Sequence, residues 1–123
     1  MKRFWLGITV LAVLLALGWG VAFFMERCHA PISIELMTAA KVSQPEHASQ
    51  HAQSAHRRWL HCRDFTAAFA DHSVLEEIDA LFAEIDIYAS AGDRLSFSAA
   101  CAHLSELVKA VAESHLPKWQ NLL

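Results

Sequence analysis

The longest apolar stretch of the chain covers residues 4–25 and contains no charged side chain. A helix of these 22 residues, with a rise of about 1.5 Å per residue, is long enough to cross the roughly 30 Å hydrocarbon core of a bilayer. One uninterrupted helix also pairs its backbone N–H and C=O groups internally, as lipid requires. The pattern therefore predicts a transmembrane helix, with the lipid bilayer as its partner.

The charges that flank this stretch predict its orientation. Lys2 and Arg3 precede it, Glu26 and Arg27 follow it, and the next cation is Lys41. Because positively charged flanks tend to remain in the cytoplasm, we expect a cytoplasmic N-terminus and an extracytoplasmic C-terminal part. The expected localisation is the cell membrane, crossed once.

A cleaved signal peptide is the main alternative. Residues 20–22 form a small-x-small triplet of the kind that a signal peptidase recognises. However, the apolar run is long for a signal peptide and continues past this triplet, which favours an uncleaved anchor. Cleavage near Ala22 would instead give a secreted helical protein. The residues before Cys28 do not form a lipoprotein processing site.

Helical periodicity returns after the apolar stretch. Pro31 is expected to end the membrane helix or to start a new one. A short helix is predicted over residues 33–41, and Ser43 with Glu46 resembles a capping box that opens a second helix. One stripe of that helix holds Ala48, Ala52, Ala55, Trp59, Cys62 and Thr66.

The strongest helical period lies within residues 74–89, and a last helix is predicted to end before Pro117. Ser73 with Glu76 resembles a second capping box, Gly92 is the expected C-terminal stop, and Asp93 is the expected N-cap of the last helix. The predicted core faces comprise Val74, Ile78, Leu81, Phe82, Ile85 and Ala89, followed by Phe97, Ala100, Leu104, Leu107, Val108 and Val111.

Together these elements predict an all-α fold, in which one N-terminal transmembrane helix is followed by a small antiparallel bundle of two helical hairpins. Short connections between amphipathic helices favour antiparallel neighbours. We expect an anchor over residues 1–27, an extracytoplasmic bundle over residues 28–117 and a tail over residues 118–123. The chain after the anchor is long enough for one small domain.

The composition argues against several classes of function. The net charge is −3 without a block of like charges, so the sequence gives no indication of nucleic-acid binding. It contains no phosphate-binding glycine loop, nucleophile elbow or HExxH motif, which favours a protein that is not an enzyme and has no cofactor. A small-molecule ligand is left open.

The three cysteines and the eight histidines are the remaining candidates for chemistry. Outside the cytoplasm a Cys62–Cys101 bridge is one interpretation, and two small core residues is the other. His47 and His51 are four residues apart on one helical face and are the predicted metal ligands. Further ligands would have to come from elsewhere, such as His29, His72 or the tail. The alternatives are solvated surface histidines and a set that responds to pH.

A set of residues spread along nearly the whole chain carries a family resemblance. The set comprises Lys2-Arg3 with the apolar run, Trp59, Asp71-His72, Leu75-Glu76-Glu77-Ile78, Tyr88-Ala89, Leu104, Leu107 and Asn121-Leu122-Leu123. In these residues the sequence resembles a family of small bacterial proteins, mainly of the Firmicutes, known as domain of unknown function 4363. The resemblance implies one membrane span followed by a helical domain, without an assigned activity and without catalytic residues.

An anchor joined to a helical module without visible chemistry predicts a non-enzymatic accessory protein that docks a partner, and another membrane protein is the expected kind of partner. Ile87 lies opposite the predicted core face and marks a candidate contact patch. A metal- or pH-responsive sensor that uses His47 and His51 is the alternative function.

Overall fold

The computed structural model describes residues 2–68 and 70–114, which form four helices and contain no strand. The predicted all-α fold is confirmed. The end expected before Pro117 and the tail over residues 118–123 lie outside the described residues. The helices are α1 (Lys2–Lys41), α2 (Pro45–Ala67), α3 (His72–Ala91) and α4 (Arg94–Ser114).

The first helix, α1, is a single helix of 40 residues with Pro31 in its interior. The prediction that Pro31 would end it is therefore wrong, and the short helix expected over residues 33–41 is the last part of α1. Pro31 has no N–H group, so the carbonyl of Arg27 loses its helical donor. His29 and Ile32 lie on either side of the proline and are fully buried, so packing against other helices holds the helix together there.

The two halves of α1 have different surroundings. All residues from 2 to 20 are exposed, whereas one face of residues 21–41 is packed against other helices. By length and composition, α1 is the one helix of the described residues that could cross a membrane. Its second half is a core element of the bundle. The buried residues of α1 are Ala22, Met25, His29, Ile32, Leu36 and Ala39.

The second half of α1 forms a four-helix bundle with the other three helices. α1 packs against α2 and α4, and α3 packs against the same two helices. We call the end of the bundle next to the exposed half of α1 the anchor end, and the opposite end the far end. The antiparallel course of α1 and α2 follows from the pairs Phe24–Phe65, Cys28–Cys62 and Glu35–His51.

The core of the bundle is built on the predicted periodic positions. Trp59 is the largest fully buried side chain, and Leu36, Ile78 and Leu104 are also completely buried. Burial of one such aliphatic side chain stabilises a fold by about 1.5–3 kcal/mol. The three apolar faces predicted after residue 42 therefore form one core together with a single face of α1.

The two predicted capping boxes are wrong in detail. The N-cap of α2 is Gln44 rather than Ser43, because Pro45 occupies the first turn and holds the preceding residue in an extended conformation. The N-cap of α3 is Asp71, whose carboxylate accepts a hydrogen bond from the backbone N–H of Ser73 at 3.4 Å. α2 thus begins one residue later than the capping pattern suggested, and α3 begins two residues earlier.

The predicted turn between α3 and α4 is confirmed. Gly92 has a φ of 73°, in the left-handed region that glycine adopts without strain, and its N–H donates to the carbonyl of Ala89 at 3.3 Å. Asp93 accepts a hydrogen bond from the N–H of Ser96 at 3.2 Å. Hydrogen bonds from the side chain and the backbone of Ser96 lower the pKa of Asp93.

Candidate interaction surfaces

A groove lies between α2 and α3 at the far end of the bundle. It consists of two adjoining cavities, with volumes of about 130 and 310 Å³, that share Ser49, Ala89 and Phe97 in their linings. Both helices present small side chains here, including Ala52 and Ala83, so the space between them is left unfilled.

Three contacts join α2 and α3 at the end of the groove nearer the anchor end. The rings of His56 and Phe82 are stacked, with centroids 4.6 Å apart. Trp59 Nε1 donates to Asp79 Oδ1 at 2.8 Å, and Arg63 Nε donates to Asp79 Oδ2 at 2.9 Å. α2 and α3 are therefore tied together at this level, and the cavities open beyond it.

The α3 side of the groove carries negative charge. α3 has five carboxylates and neither lysine nor arginine. Asp86 lines the groove, and Glu84 is exposed nearby on the same helix. Ile87 is 63% exposed, which confirms the predicted apolar position opposite the core. The α3 side of the groove is thus acidic, whereas Asp93 and Arg94 both line the other cavity.

The predicted ligand His51 contacts a carboxylate of another helix. Its Nδ1 lies 3.2 Å from Oε2 of Glu35 on α1. Ser54 donates to Oε1 of Glu35 at 3.3 Å, and Arg58 Nε lies 3.9 Å from the same oxygen. His47, one turn before His51, is exposed. Sequence reasoning missed Glu35 because only the tertiary fold brings it to α2.

No group of three or more histidine, cysteine, aspartate or glutamate side chains in residues 2–68 and 70–114 is arranged to hold a metal ion. Of the additional ligands considered, His72 is the first residue of α3, next to the connection at the anchor end. His29 is buried at the level of Thr66, which lies about 22 Å along α2 from His51. Metal binding by His47 and His51 stays a prediction.

His29 instead forms part of the buried contact between α1 and α2. Its Nδ1 lies 2.7 Å from the carbonyl oxygen of Met25, and its Nε2 lies 2.9 Å from Oγ1 of Thr66. Thr66 in turn donates to the carbonyl of Cys62 at 2.8 Å. A buried polar group must be hydrogen-bonded to be tolerated, so these contacts fix the register of the two helices.

A disulfide between Cys28 and Cys62 links α1 to α2, with the two Cα atoms 6.2 Å apart. The interpretation of a Cys62–Cys101 bridge is therefore wrong. Cys101 is a free, fully buried core residue, as the alternative interpretation expected. Burial raises the pKa of its thiol to about 12. The sequence did not predict the pairing of Cys28 with Cys62, because only the antiparallel course of α1 and α2 brings the two residues together.

The fold defines a helical-bundle domain whose first helix extends beyond the bundle as an exposed apolar segment. Residues 34–122 match a family described as Domain of unknown function (DUF4363), and the chain belongs to this family. No curated protein and no solved structure matches the chain. The matched range begins within the buried half of α1, so it covers most of the bundle and none of the exposed half.

Proposed function

We propose that the protein is held in the cell membrane by the first half of α1 and serves as a non-enzymatic accessory module that docks another membrane protein. The observation that supports this most directly is the change of exposure along one continuous helix. Residues 2–20 expose a nearly unbroken apolar surface, with Trp5, Leu11 and Trp19 each more than half exposed. Apolar surface costs about 25 cal/mol per Å² in water, and lipid removes that cost.

The bundle lies outside the cytoplasm in this proposal. Disulfides persist in oxidising compartments and are rare in the cytosol, so the Cys28–Cys62 bond favours an extracytoplasmic bundle. Lys2 and Arg3 at the other end of the span agree with that orientation. The resemblance to small single-span bacterial proteins gives further support.

Membrane extraction and intact mass test the anchor. The full chain should remain in the membrane pellet after alkaline carbonate washing and should keep the mass of an uncleaved protein. Protease added to intact spheroplasts should digest the bundle, and inside-out vesicles should protect it. A soluble product that lacks residues 1–22 would overturn the anchor and would support the secreted alternative.

The groove between α2 and α3 is the proposed docking site, and its occupant is a helix of another membrane protein with apolar side chains beside lysine or arginine. The cavities fit a few apolar side chains, and Asp86 on the rim favours a positively charged neighbour. Because α3 has no lysine or arginine, the rest of its exposed surface also favours a positively charged partner.

Site-specific photocrosslinking in native membranes tests the docking site. A photoreactive residue in place of Ala83 should capture one defined membrane protein, and Asp86→Lys should abolish the capture. The same reagent in place of Glu106, an exposed residue of α4, is the control and should not capture that protein. Equal capture from both positions, or none from Ala83, would contradict the groove as the docking site.

Metal sensing through His47 and His51 is a second candidate, and the contact between His51 and Glu35 is the observation that favours it. The Glu35 carboxylate next to the His51 imidazole adds an oxygen ligand from a second helix. Zinc titration of the full chain in detergent tests it: binding tighter than about 100 µM, lost in His51→Ala and kept in His61→Ala, would support a sensor. No binding at that level would exclude it.

A further inference from the structure

The charge-free stretch of α1 and its exposed half do not end at the same residue. The charge-free stretch covers residues 4–25, whereas the exposed half ends at residue 20. Val21 is already half-buried, and Ala22 and Met25 are buried against the other helices. Residues 21–25 therefore belong to the apolar stretch and to the bundle at the same time.

The length of the exposed apolar part is short for a bilayer. Residues 4–20 would rise by about 26 Å as a helix, against a hydrocarbon core of roughly 30 Å. One further turn of α1, within residues 21–25, supplies the missing length. That turn cannot enter the lipid alone, because the end of the bundle is packed against its inner side.

The outer side of the same turn is aromatic. Phe23 and Phe24 are 61% and 51% exposed, and the ring of Phe24 lies edge-on to Phe65 of α2 with centroids 4.4 Å apart. The guanidinium of Arg27 lies 5.3 Å from the centroid of the Phe23 ring. Aromatic rings with an adjacent cation are typical of side chains at the boundary between acyl chains and headgroups.

From these observations we infer that the anchor end of the bundle is itself a lipid-binding surface. Its aromatic corner, defined as Phe23, Phe24 and Phe65, is embedded in the outer interface of the bilayer, and Arg27 lies at headgroup level. The bundle contacts the membrane through the corner formed by α1 and α2. Asp71, at the connection between α2 and α3, is exposed and stays in water. This inference rests on the proposed membrane anchor.

Phe65 is the informative position because it belongs to α2 and not to the anchor helix. The full chain with p-benzoylphenylalanine in place of Phe65 is reconstituted into nanodiscs of palmitoyloleoyl phosphatidylglycerol and irradiated. The mass of the intact protein is then measured. We expect an adduct with the added mass of one phospholipid. Ala68, an exposed residue at the end of α2, is the second position and keeps the test valid if the Phe65 variant does not fold.

Three further positions calibrate the result. Trp19, which is 67% exposed in the apolar half, should give a strong lipid adduct. Leu60 is 55% exposed and lies on α2 about 7 Å farther from the anchor end than Phe65, so its adduct should be much weaker. Leu95 is 84% exposed at the far end and should give none.

The pattern of adducts separates the two hypotheses. An adduct at Trp19 with none at either Phe65 or Ala68 would overturn the embedded corner while leaving the anchor intact, because the bilayer would then thin around a shorter span. Equal adducts at Phe65, Leu60 and Leu95 would also overturn it, since the reagent would then label without regard to depth. No adduct at Trp19 would instead contradict the membrane anchor.

Discussion

Asp79 satisfies two donors of α2 with one carboxylate. Trp59 is fully buried, and its indole N–H donates to Oδ1 of Asp79 at 2.8 Å, while Arg63 donates to Oδ2 at 2.9 Å. A buried donor without an acceptor costs far more than the net stabilisation of one ordinary hydrogen bond. The side chain of Asp79 is therefore expected to contribute more to the stability of the fold than an ordinary residue on the polar side of α3.

Asp79→Ala should lower the free energy of unfolding by about 1–3 kcal/mol, because the indole N–H of Trp59 stays buried without its acceptor. Asp79→Asn should cost less, since the amide oxygen can still accept from Trp59. Urea unfolding of the detergent-solubilised chain measures both. Glu84→Ala, an exposed change on the same helix, is the control and should shift stability by no more than about 0.5 kcal/mol. Equal stability of the Asp79 and Glu84 variants would contradict this role.

The states of the three cysteines predict how many of them can be alkylated in the native and unfolded protein. The native protein should show almost no reaction with iodoacetamide, because the one free thiol, Cys101, is buried and its pKa is raised to about 12. Unfolding without reductant should allow one alkylation per chain, and unfolding after reduction should allow three. Intact mass reads each step. Three alkylations without reductant would contradict the Cys28–Cys62 disulfide.

At the scale of helices, α1 connects the exposed apolar segment to the core of the bundle. It passes from an exposed apolar segment to a core helix without interruption, and it contacts both α2 and α4. Its link to α4 includes a pair of hydroxyls, Ser33 and Ser105, whose Oγ atoms are 2.8 Å apart. Its link to α2 includes the disulfide and the contacts of His29. Cross-links on both flanks of Pro31 explain why the helix continues through it.

Pro31→Ala should raise the free energy of unfolding by about 1–3 kcal/mol, because it supplies the missing N–H donor for the carbonyl of Arg27 in the helix interior. Pro45→Ala is the matched control. Pro45 lies in the first turn of α2, where the N–H has no helical partner, so its replacement should give no gain. Thermal unfolding of both variants tests this. A loss of stability in Pro31→Ala would mean that the proline conformation is required at that point.

At the scale of the whole molecule, the bundle and the apolar segment share one helix. Buried residues of α1 occur from Ala22 to Ala39, so the bundle cannot be separated from the apolar segment at the end of the charge-free stretch. A boundary after residue 27 falls within α1, between the buried residues Met25 and His29. The exposed apolar segment is therefore joined to the bundle by a continuous helix.

Fragments of the chain test this integration. A fragment that starts at residue 21 should fold as a helical bundle. One that starts at residue 42 should not fold, because it lacks the part of α1 that packs in the core. A fragment that starts at residue 28 should fold with about 2–5 kcal/mol less stability than the first, since it loses the buried Met25. Circular dichroism with urea unfolding measures all three. Cooperative unfolding of the shortest fragment would contradict a core role for α1.

The sequence determined the helices after residue 42 and the turn between the last two. The stripes that contain Trp59, Ile78 and Leu104 repeat at the helical period and contain few residues that break helices, so local pattern and burial agree. Gly92 and Asp93 act on their own neighbours, and their roles can be predicted without knowledge of the rest of the fold. The apolar stretch over residues 4–25 could likewise be recognised from composition alone.

The tertiary structure decided the course of α1 and every contact between helices. Whether Pro31 breaks a helix depends on the packing of its neighbours, which no local pattern encodes. The pairs Cys28–Cys62 and Glu35–His51 join residues far apart in sequence, and they form only because α1 continues and α2 returns antiparallel to it. The aromatic corner arises in the same way. Periodicity specifies which face of a helix is buried, and only the assembled bundle specifies what that face meets.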